Sequence, residues 1–440
     1  MTDPARYRGF RKRLLKYEKL ERISWEEQRE RQWSSLRRIL QHAYDTTPFY
    51  RDRFDGAGVS PTNIRSTEEL ARIPPLTRED LTCHLDDLCS RKFPAEALQR
   101  AATGGTTDTP TPIFRSPHSI LEKIAIQTRF NIWAGNRPGD KIFYLWGARQ
   151  DYNQSPGWKW QLYDRYLMRR IWAPTSLFNE RVFEAYRESL NRLRPRVIVA
   201  YPTPLALFCE YLQDTGKDVH RPESAICTAE SLLSSQRKVI EHVLGAKIFE
   251  HYGSREFGMI AAECENHVGM HVNPAAVYLE YVPVEGAEIE GLHEIFVTDL
   301  LNEGMPLIRY RVNDCVIPAT DRCPCGRSYP LIQKIIGRTA DLFPLPNGDK
   351  VPGVSLTNRV LQVCPGLRKV QIIQETLSEF HVRYVPGSGF TSNDLELLKS
   401  NLRRFLPPDL TWRFEHVVDI PRERSGKTRF CISRVKEIPK

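Results

Sequence analysis

No run of about 18 apolar residues, the length a membrane-spanning helix needs, occurs in this chain. Its most apolar stretch, VIVAYPTPLALF, is interrupted by Pro202 and Pro204. The first residues, MTDPARYRGFRKRLLKYEKLE, are basic but lack the apolar stretch of a secretory signal. A cytoplasmic protein is therefore the expectation. In that setting ten cysteines point to thiols or metal ligands rather than to a disulfide framework. Two nucleotide signatures are missing too: the P-loop spacing GxxxxGKS/T and the dinucleotide fingerprint GxGxxG. Neither an internal repeat nor a low-complexity segment is found.

What is present is a chain of 440 residues, 41% hydrophobic and 27% charged, long enough for two or three domains. The net charge of +9 is uneven, since residues 1–60 hold 14 Lys and Arg against 9 Asp and Glu. A basic face can attract nucleic acid, anionic lipid or a phosphorylated small molecule. In RKRLLKYEKLERISWEEQRERQWSSLRRILQHA, however, the charges alternate in sign around apolar residues at helical spacing. That pattern predicts a surface-lying amphipathic helix and needs no nucleic acid to explain it.

After two or three N-terminal helices, the run AATGGTTDTP at 101–110 combines paired glycines with four threonines. Backbone without Cβ can bring its N–H groups close to a ligand, and successive N–H groups form an anion-binding concavity. From there helices alternate with the short apolar strands RVIVAYP (196–202), SAICTAE (224–230) and AKIFEHYG (246–253). Each ends in a polar or glycine-bearing turn, which predicts an α/β fold with a parallel sheet and a ligand at the strand carboxyl ends. GLHEIFVTDL and MPLIRYRVND then alternate in period two, as β-strands do. The last hundred residues predict a separate small α+β unit: strands RKVQIIQ and EFHVRYV, a helix opened by a Thr391/Asp394 capping box, and a strand in LTWRFEHVVDI. The linker falls near GRTADLFPLPNGDK.

Taken in order, the polar strand ends resemble the motifs of the adenylate-forming superfamily of acyl-CoA ligases, closest to its phenylacetate-CoA ligase and CapK-like branch. The resemblance spans almost the whole chain, from AYDTTPFYRDRF to SGKTRF. It implies a large domain, 1–340, that binds ATP and acid and includes a β region at about 264–330, followed by a small mobile α+β domain, 341–440. TGGTTDTP resembles the family's phosphate loop, with Thr103, Gly104, Gly105, Thr106 and Thr107 matching and Asp108 standing where glycine is usual. TAE, with Ala229 and Glu230, is similar to the strand-end turn beside adenine. HYGSREFG resembles YGxTE, in which Tyr252 stacks on adenine, Gly253 and Ser254 line the nucleotide, and Glu256 helps bind Mg²⁺.

VTDLLNEGMPLIRYRVNDCV resembles the TxLxxxxxPLIRYRTGD stretch, whose final carboxylate, here Asp314, accepts both ribose hydroxyls. IIGRTAD resembles the GRxDD hinge, with Arg338 carried over, Ala340 in place of the first aspartate, and Asp341 kept. GKTR puts Lys427 where the family has its mobile catalytic lysine. The implied activity is Mg-ATP-dependent activation of a carboxylic acid, an aryl or arylacetic acid among the candidates, as acyl-adenylate with pyrophosphate release. The implied acyl acceptor is CoA, a carrier-protein thiol or an amine. Where CoA-using members have a loop similar to RGxNVFP, this chain has LPNGDKVPG, so adenylation is better supported than thioester formation.

Cys264, His267 and His271 in CENHVGMH, with Cys323 and Cys325 in CPCG, form a candidate zinc set. Cys264, His271, Cys323 and Cys325 are the expected ligands, with His267 the substitute for His271. Four protein ligands leave no place for substrate, so the zinc would be structural. Two other classes compete: a zinc-containing nucleic-acid-binding protein, and a nucleotide-binding relative without turnover. The first leaves the glycine run, Asp314 and Lys427 unexplained; the second is motivated by Asp108 and Ala340.

Overall fold

The computed structural model describes residues 9–102, 112–146, 169–175, 179–287, 289–338, 342–353, 364, 366–387, 389–407, 409–421 and 429–435. The charge-alternating N-terminal stretch is two helices, not one: α1 (Phe10–Leu20) and α2 (Trp25–Thr46). Ser24 separates them, because its side chain accepts the Glu27 N–H and so starts a new helix. Neither helix merely lies on the surface. Tyr17, Leu36, Ile39 and Leu40 are fully buried, and Arg13 and Lys16 of α1 pair with the buried Glu122. Then come α3 (Pro48–Gly56) and the short helices α4 (Thr67–Ala71), α5 (Arg78–Cys83) and α6 (Leu85–Leu88). The strands β1 (Gln99–Ala102) and β2 (Pro112–Arg115) pair antiparallel, and α7 (Pro117–Trp133) follows.

The α/β region consists of β3 (Ile142–Trp146), β4 (Arg170–Pro174), α8 (Glu180–Leu193), β5 (Val197–Ala200), α9 (Pro202–Thr215), β6 (Ser224–Thr228), α10 (Ser234–Leu244) and β7 (Lys247–Ser254). Strands β3 to β7 are mutually parallel. β5 is buried along its whole length, as a strand covered on both faces must be. Pro202 sits in the first turn of α9, where a missing N–H costs nothing, and left-handed Gly216 and Gly245 end α9 and α10.

The chain continues into β8 (Gly258–Glu263), β9 (Met270–Val272), β10 (Val277–Pro283), β11 (His293–Asp299), β12 (Tyr310–Pro318) and β13 (Leu331–Arg338). These antiparallel strands are hydrogen-bonded to the parallel ones in one eleven-stranded sheet, ordered β10-β11-β12-β13-β9-β8-β7-β6-β5-β3-β4. One expected strand is shorter than its pattern. In MPLIRYRVND the strand starts only at Tyr310. Arg309 is left-handed (φ 53) and its buried guanidinium is held by Glu280 at 2.9 Å, which interrupts the extended backbone.

After the short pair β14 (Leu342–Pro344) and β15 (Lys350–Pro352), a four-stranded sheet orders β18 (Thr411–His416), β17 (Glu379–Pro386), β16 (Leu367–Gln374) and β19 (Cys431–Ser433). Helix α11 (Ser392–Phe405) opens on the Thr391/Asp394 capping box and packs over this sheet's own core of Val370, Ile372, Phe380, Val382, Leu398 and Leu402. Arg368 of β16 reaches Glu210 of α9 at 3.5 Å. Among the described residues no helix is long and apolar enough to cross a membrane.

Candidate active site

The carboxyl ends of β5, β6 and β7 lie side by side because the strands are parallel and in register, with Ala200 beside Cys227 and Thr228 beside His251. Directly after β6, Ala229 takes a left-handed backbone (φ 70), a conformation that costs a residue with a Cβ roughly 1 kcal/mol or more. The neighbouring Glu230 carboxylate accepts the Thr203 N–H at 3.3 Å, at the N-terminus of α9, where helix charge favours an anion. The turn after β6 is thus tied to the helix after β5.

Tyr252 and Gly253 occupy the end of β7. Gly253 has no alternative, since a Cβ there would lie 2.4 Å from the Gly258 carbonyl oxygen across the β7–β8 ladder. Within that tight connection the Ser254 hydroxyl accepts the Phe257 N–H at 3.3 Å, and Glu256 sits half-buried. Among the described residues the Glu256 carboxylate makes no hydrogen bond or ion pair. A half-buried, acceptor-only carboxylate on a constrained turn fits a ligand for Mg²⁺, a hard cation that prefers oxygen.

Asp314 comes from the other half of the sheet. Between Phe296↔Arg311 and Glu294↔Cys315 the β11–β12 ladder shifts register, and Asn313 is left-handed (φ 60). A bulge of this kind turns a side chain out of its regular alternation. The Tyr252 hydroxyl donates to Asp314 Oδ2 at 2.5 Å, and Arg338, paired opposite Asp314 on β13, brings its Nε to 3.8 Å from Oδ1. Burial, with the Asp314 charge beside it, pushes the Tyr252 hydroxyl pKa well above the usual phenol range, so Tyr252 stays a donor at neutral pH. Residues 252, 314 and 338, remote in sequence, therefore form one polar cluster. A carboxylate has about four lone-pair positions, so a tyrosine on Oδ2 leaves acceptor capacity for ribose hydroxyls. Asp314→Ala is expected to raise the KM for ATP by roughly ten- to a hundredfold, the worth of one or two hydrogen bonds to a charged group. Steady-state kinetics with varied ATP checks this; an unchanged KM would remove Asp314 from the nucleotide site.

Thr103, Gly104, Gly105, Thr106, Thr107 and Asp108 lie outside the described residues, as do Ala340, Asp341 and Lys427. The strands flanking the threonine–glycine run are placed, with Ala102 opposite Pro112, and Arg115 of β2 donates to the Arg255 carbonyl beside Glu256.

Aromatic side chains gather on the neighbouring strands β3 and β4 and just after β5. Tyr144 stacks on Trp172 at 4.1 Å between centroids, and Trp146 meets Tyr201 at 4.8 Å. The tryptophan and tyrosine of FYLW are visible in the sequence; their meeting with residues 172 and 201 needed the strand order. Two further residues near Glu256 are not marked by the sequence: Lys123 lies in no motif, and Asp299 falls at a variable position of the TxLxxxxxPLIRYRTGD stretch.

The Cys264, His271, Cys323 and Cys325 ligand atoms all lie within 4.8 Å of one another. Cys264 Sγ is 3.6 Å from Cys323 Sγ, and Cys325 Sγ is 3.3 Å from His271 Nε2. Tetrahedral zinc with Zn–S near 2.3 Å and Zn–N near 2.0 Å has ligand–ligand edges of roughly 3.5–3.8 Å, so the donor set fits that ion. His271 Nδ1–H donates to the Tyr329 carbonyl at 3.3 Å, which leaves Nε2 as the metal-facing nitrogen. His267 is turned away, onto Glu263 and over the Phe249 ring.

Comparison with known proteins shows similarity over most of the chain. Residues 344–434 match the CapK C-terminal domain. A phenylacetate-coenzyme A ligase of Escherichia coli (strain K12) is 30% identical over 342 residues, 74% of this chain and 75% of that protein. Protein CapK of Staphylococcus aureus is 23% identical over 392 residues, 88% of this chain and 84% of that one. Among solved structures, 2-hydroxyisobutyryl-CoA ligase in the postadenylation state with 2-HIB-AMP superposes with a TM-score of 0.75 at 19% identity, covering 94% of this chain and 91% of that chain.

Proposed function

The chain belongs to the phenylacetate-CoA ligase family of adenylate-forming enzymes, and from that premise we propose that it activates an aryl-type carboxylic acid with ATP and passes the acyl group to the thiol of CoA. The substrate carboxylate attacks the α-phosphorus, forming the acyl–O–P bond as the bond to pyrophosphate breaks. The thiolate sulfur then attacks the acyl carbon, and AMP leaves. The observation that carries the reading is the joining of Tyr252, Asp314 and Arg338 into one polar cluster beside the half-buried Glu256.

In this reading Tyr252 packs on adenine, and Ala229, Glu230, Gly253 and Ser254 line the nucleotide. Asp314 accepts the ribose hydroxyls, with Tyr252 and Arg338 fixing its orientation. Residues 103–107 give backbone and hydroxyl donors to phosphate oxygens, and Lys427 brings positive charge to the α-phosphate. Positioning and charge stabilisation are what phosphoryl-type displacement requires of a protein. Glu256 is the carboxylate that would hold Mg²⁺, which when bound would supply positive charge against the phosphates. The small unit, 341–440, would be the mobile domain that delivers Lys427.

The zinc proposed at Cys264, His271, Cys323 and Cys325 is structural, tying the loop after β12 to β8 and β9. Thiol-reducing cytoplasm suits this site, and none of the ten cysteines is in a disulfide. Engagement of Arg13 and Lys16 with Glu122 supports a structural rather than a nucleic-acid-binding role for the basic N-terminal segment.

The aromatic group formed by Tyr144, Trp146, Trp172 and Tyr201 supports an aryl acid, because flat π-faces favour stacking on a ring. Exchange of labelled pyrophosphate into ATP, measured with a panel of acids, tests the reading. Aryl and arylacetic acids are expected to support exchange at least about tenfold better than short aliphatic acids of equal charge, the worth of one good aromatic contact. Equal exchange with aliphatic acids would contradict the substrate class; no exchange with any acid would contradict adenylation.

A further inference from the structure

Lys123 projects from α7 into the protein, and its ammonium has two oxygen partners, Asp299 Oδ2 at 2.6 Å and the Glu256 carbonyl at 3.1 Å. The side chains of Lys123 and Asp299 are 10% and 0% exposed. Burying an ammonium carries a desolvation cost that pairing need not fully repay, and a methionine would fill the same space without that cost. The cation therefore serves its partners. Asp299 is itself immobile, since its Oδ1 accepts the Leu301 and Asn302 N–H groups at 2.9 and 3.2 Å. The aliphatic stem of Lys123 lies over Gly258, where a Cβ would meet its Cδ at 3.5 Å and where φ is +75°. The same connection is gripped once more, by Arg115 on the Arg255 carbonyl.

We propose that Lys123 is a positioning residue for the magnesium-binding turn: anchored on Asp299, it holds the Glu256 carbonyl and so fixes the direction in which the Glu256 carboxylate meets the metal. With Arg115 holding the preceding carbonyl, the turn is registered against β2, the strand that leaves the threonine–glycine run. This inference rests on the reading of Glu256 as the magnesium ligand.

The test is calorimetric titration of ATP, without acid, in excess Mg²⁺ and in EDTA, on wild type, Glu256→Gln and the charge-neutral double variant Lys123→Met/Asp299→Asn. Wild type should gain affinity from Mg²⁺. Glu256→Gln should lose most of that gain, and the double variant should lose about tenfold, as removal of a group that orients a metal ligand does. Binding in EDTA should be alike in all three. A folded double variant with the wild-type gain, beside a Glu256→Gln that has lost it, overturns the role of Lys123 and leaves Glu256 standing. A wild-type gain in Glu256→Gln overturns both. Should the double variant not fold, Lys123→Gln takes its place, neutral and too short to reach both oxygens; the same loss is expected, and a wild-type gain overturns the proposal.

Discussion

Replacing Lys427 by alanine is expected to slow adenylate formation by roughly a hundredfold or more, since a charge aimed at developing phosphoryl oxygens in a dry site is worth about 3 kcal/mol. Lys427 precedes β19 by a few residues, and β19 is the edge strand pairing in parallel with β16 of the small sheet. The chain just after the lysine is anchored further by Gln371, which donates to the Arg429 carbonyl at 2.6 Å. On the proposed reading Lys427, which stands in the sequence between β18 and β19, would reach the nucleotide only when the small unit closes on the large one. ATP affinity should change far less in Lys427→Ala, because the proposed adenine, ribose and metal contacts belong to the large sheet. The same variant should still convert a supplied acyl-adenylate and CoA to thioester if the second step uses a different domain arrangement. Single-turnover measurement of both half-reactions separates these outcomes. Wild-type adenylation in the variant would mean that the small unit delivers no such charge.

The second large effect is expected from the cysteine cluster. Cys323→Ser, or metal removal with a strong chelator, should lower the unfolding midpoint by about 10 °C, because a structural zinc contributes several kcal/mol or more to folding. The loss should spread beyond the cluster. Arg22 at the end of α1 donates to the Cys325 carbonyl at 3.1 Å, and the Ser328 N–H donates to the Glu21 carbonyl at 3.0 Å. Arg327 lies over the Trp133 ring of α7 at 4.5 Å. A loop freed from its metal would loosen α1 and α7 together. Metal analysis of the purified protein should give about one zinc per chain; zinc-free protein with an undiminished midpoint would rule the site out.

What could be read from the sequence follows from where local signals suffice. VIVA and SAICT are apolar on both faces, so parallel buried strands were legible, and the Thr391/Asp394 spacing announced α11 because a capping box is a purely local contact. The start of β12 was not legible, because it is decided by Arg309 reaching Glu280, a contact between strands. The break between α1 and α2 rests on a single serine inside a pattern that stays helical on both sides. Lys123 was hidden for a similar reason. Beside Glu122 on a helix it reads as one half of a solvated pair, yet Glu122 faces α1 and Lys123 faces Asp299. Only the packing of α7 between those two neighbours separates them.

Oxygen transfer during turnover tests acyl-adenylate formation most directly. The enzyme is supplied with an aryl acid labelled with ¹⁸O in its carboxylate, unlabelled ATP and CoA, and the products are read by mass spectrometry. Attack of the carboxylate on the α-phosphorus, followed by release of AMP, should leave a single ¹⁸O in the phosphate of AMP and none in pyrophosphate. Label in inorganic phosphate, or thioester formed with unlabelled AMP, would contradict an adenylate intermediate.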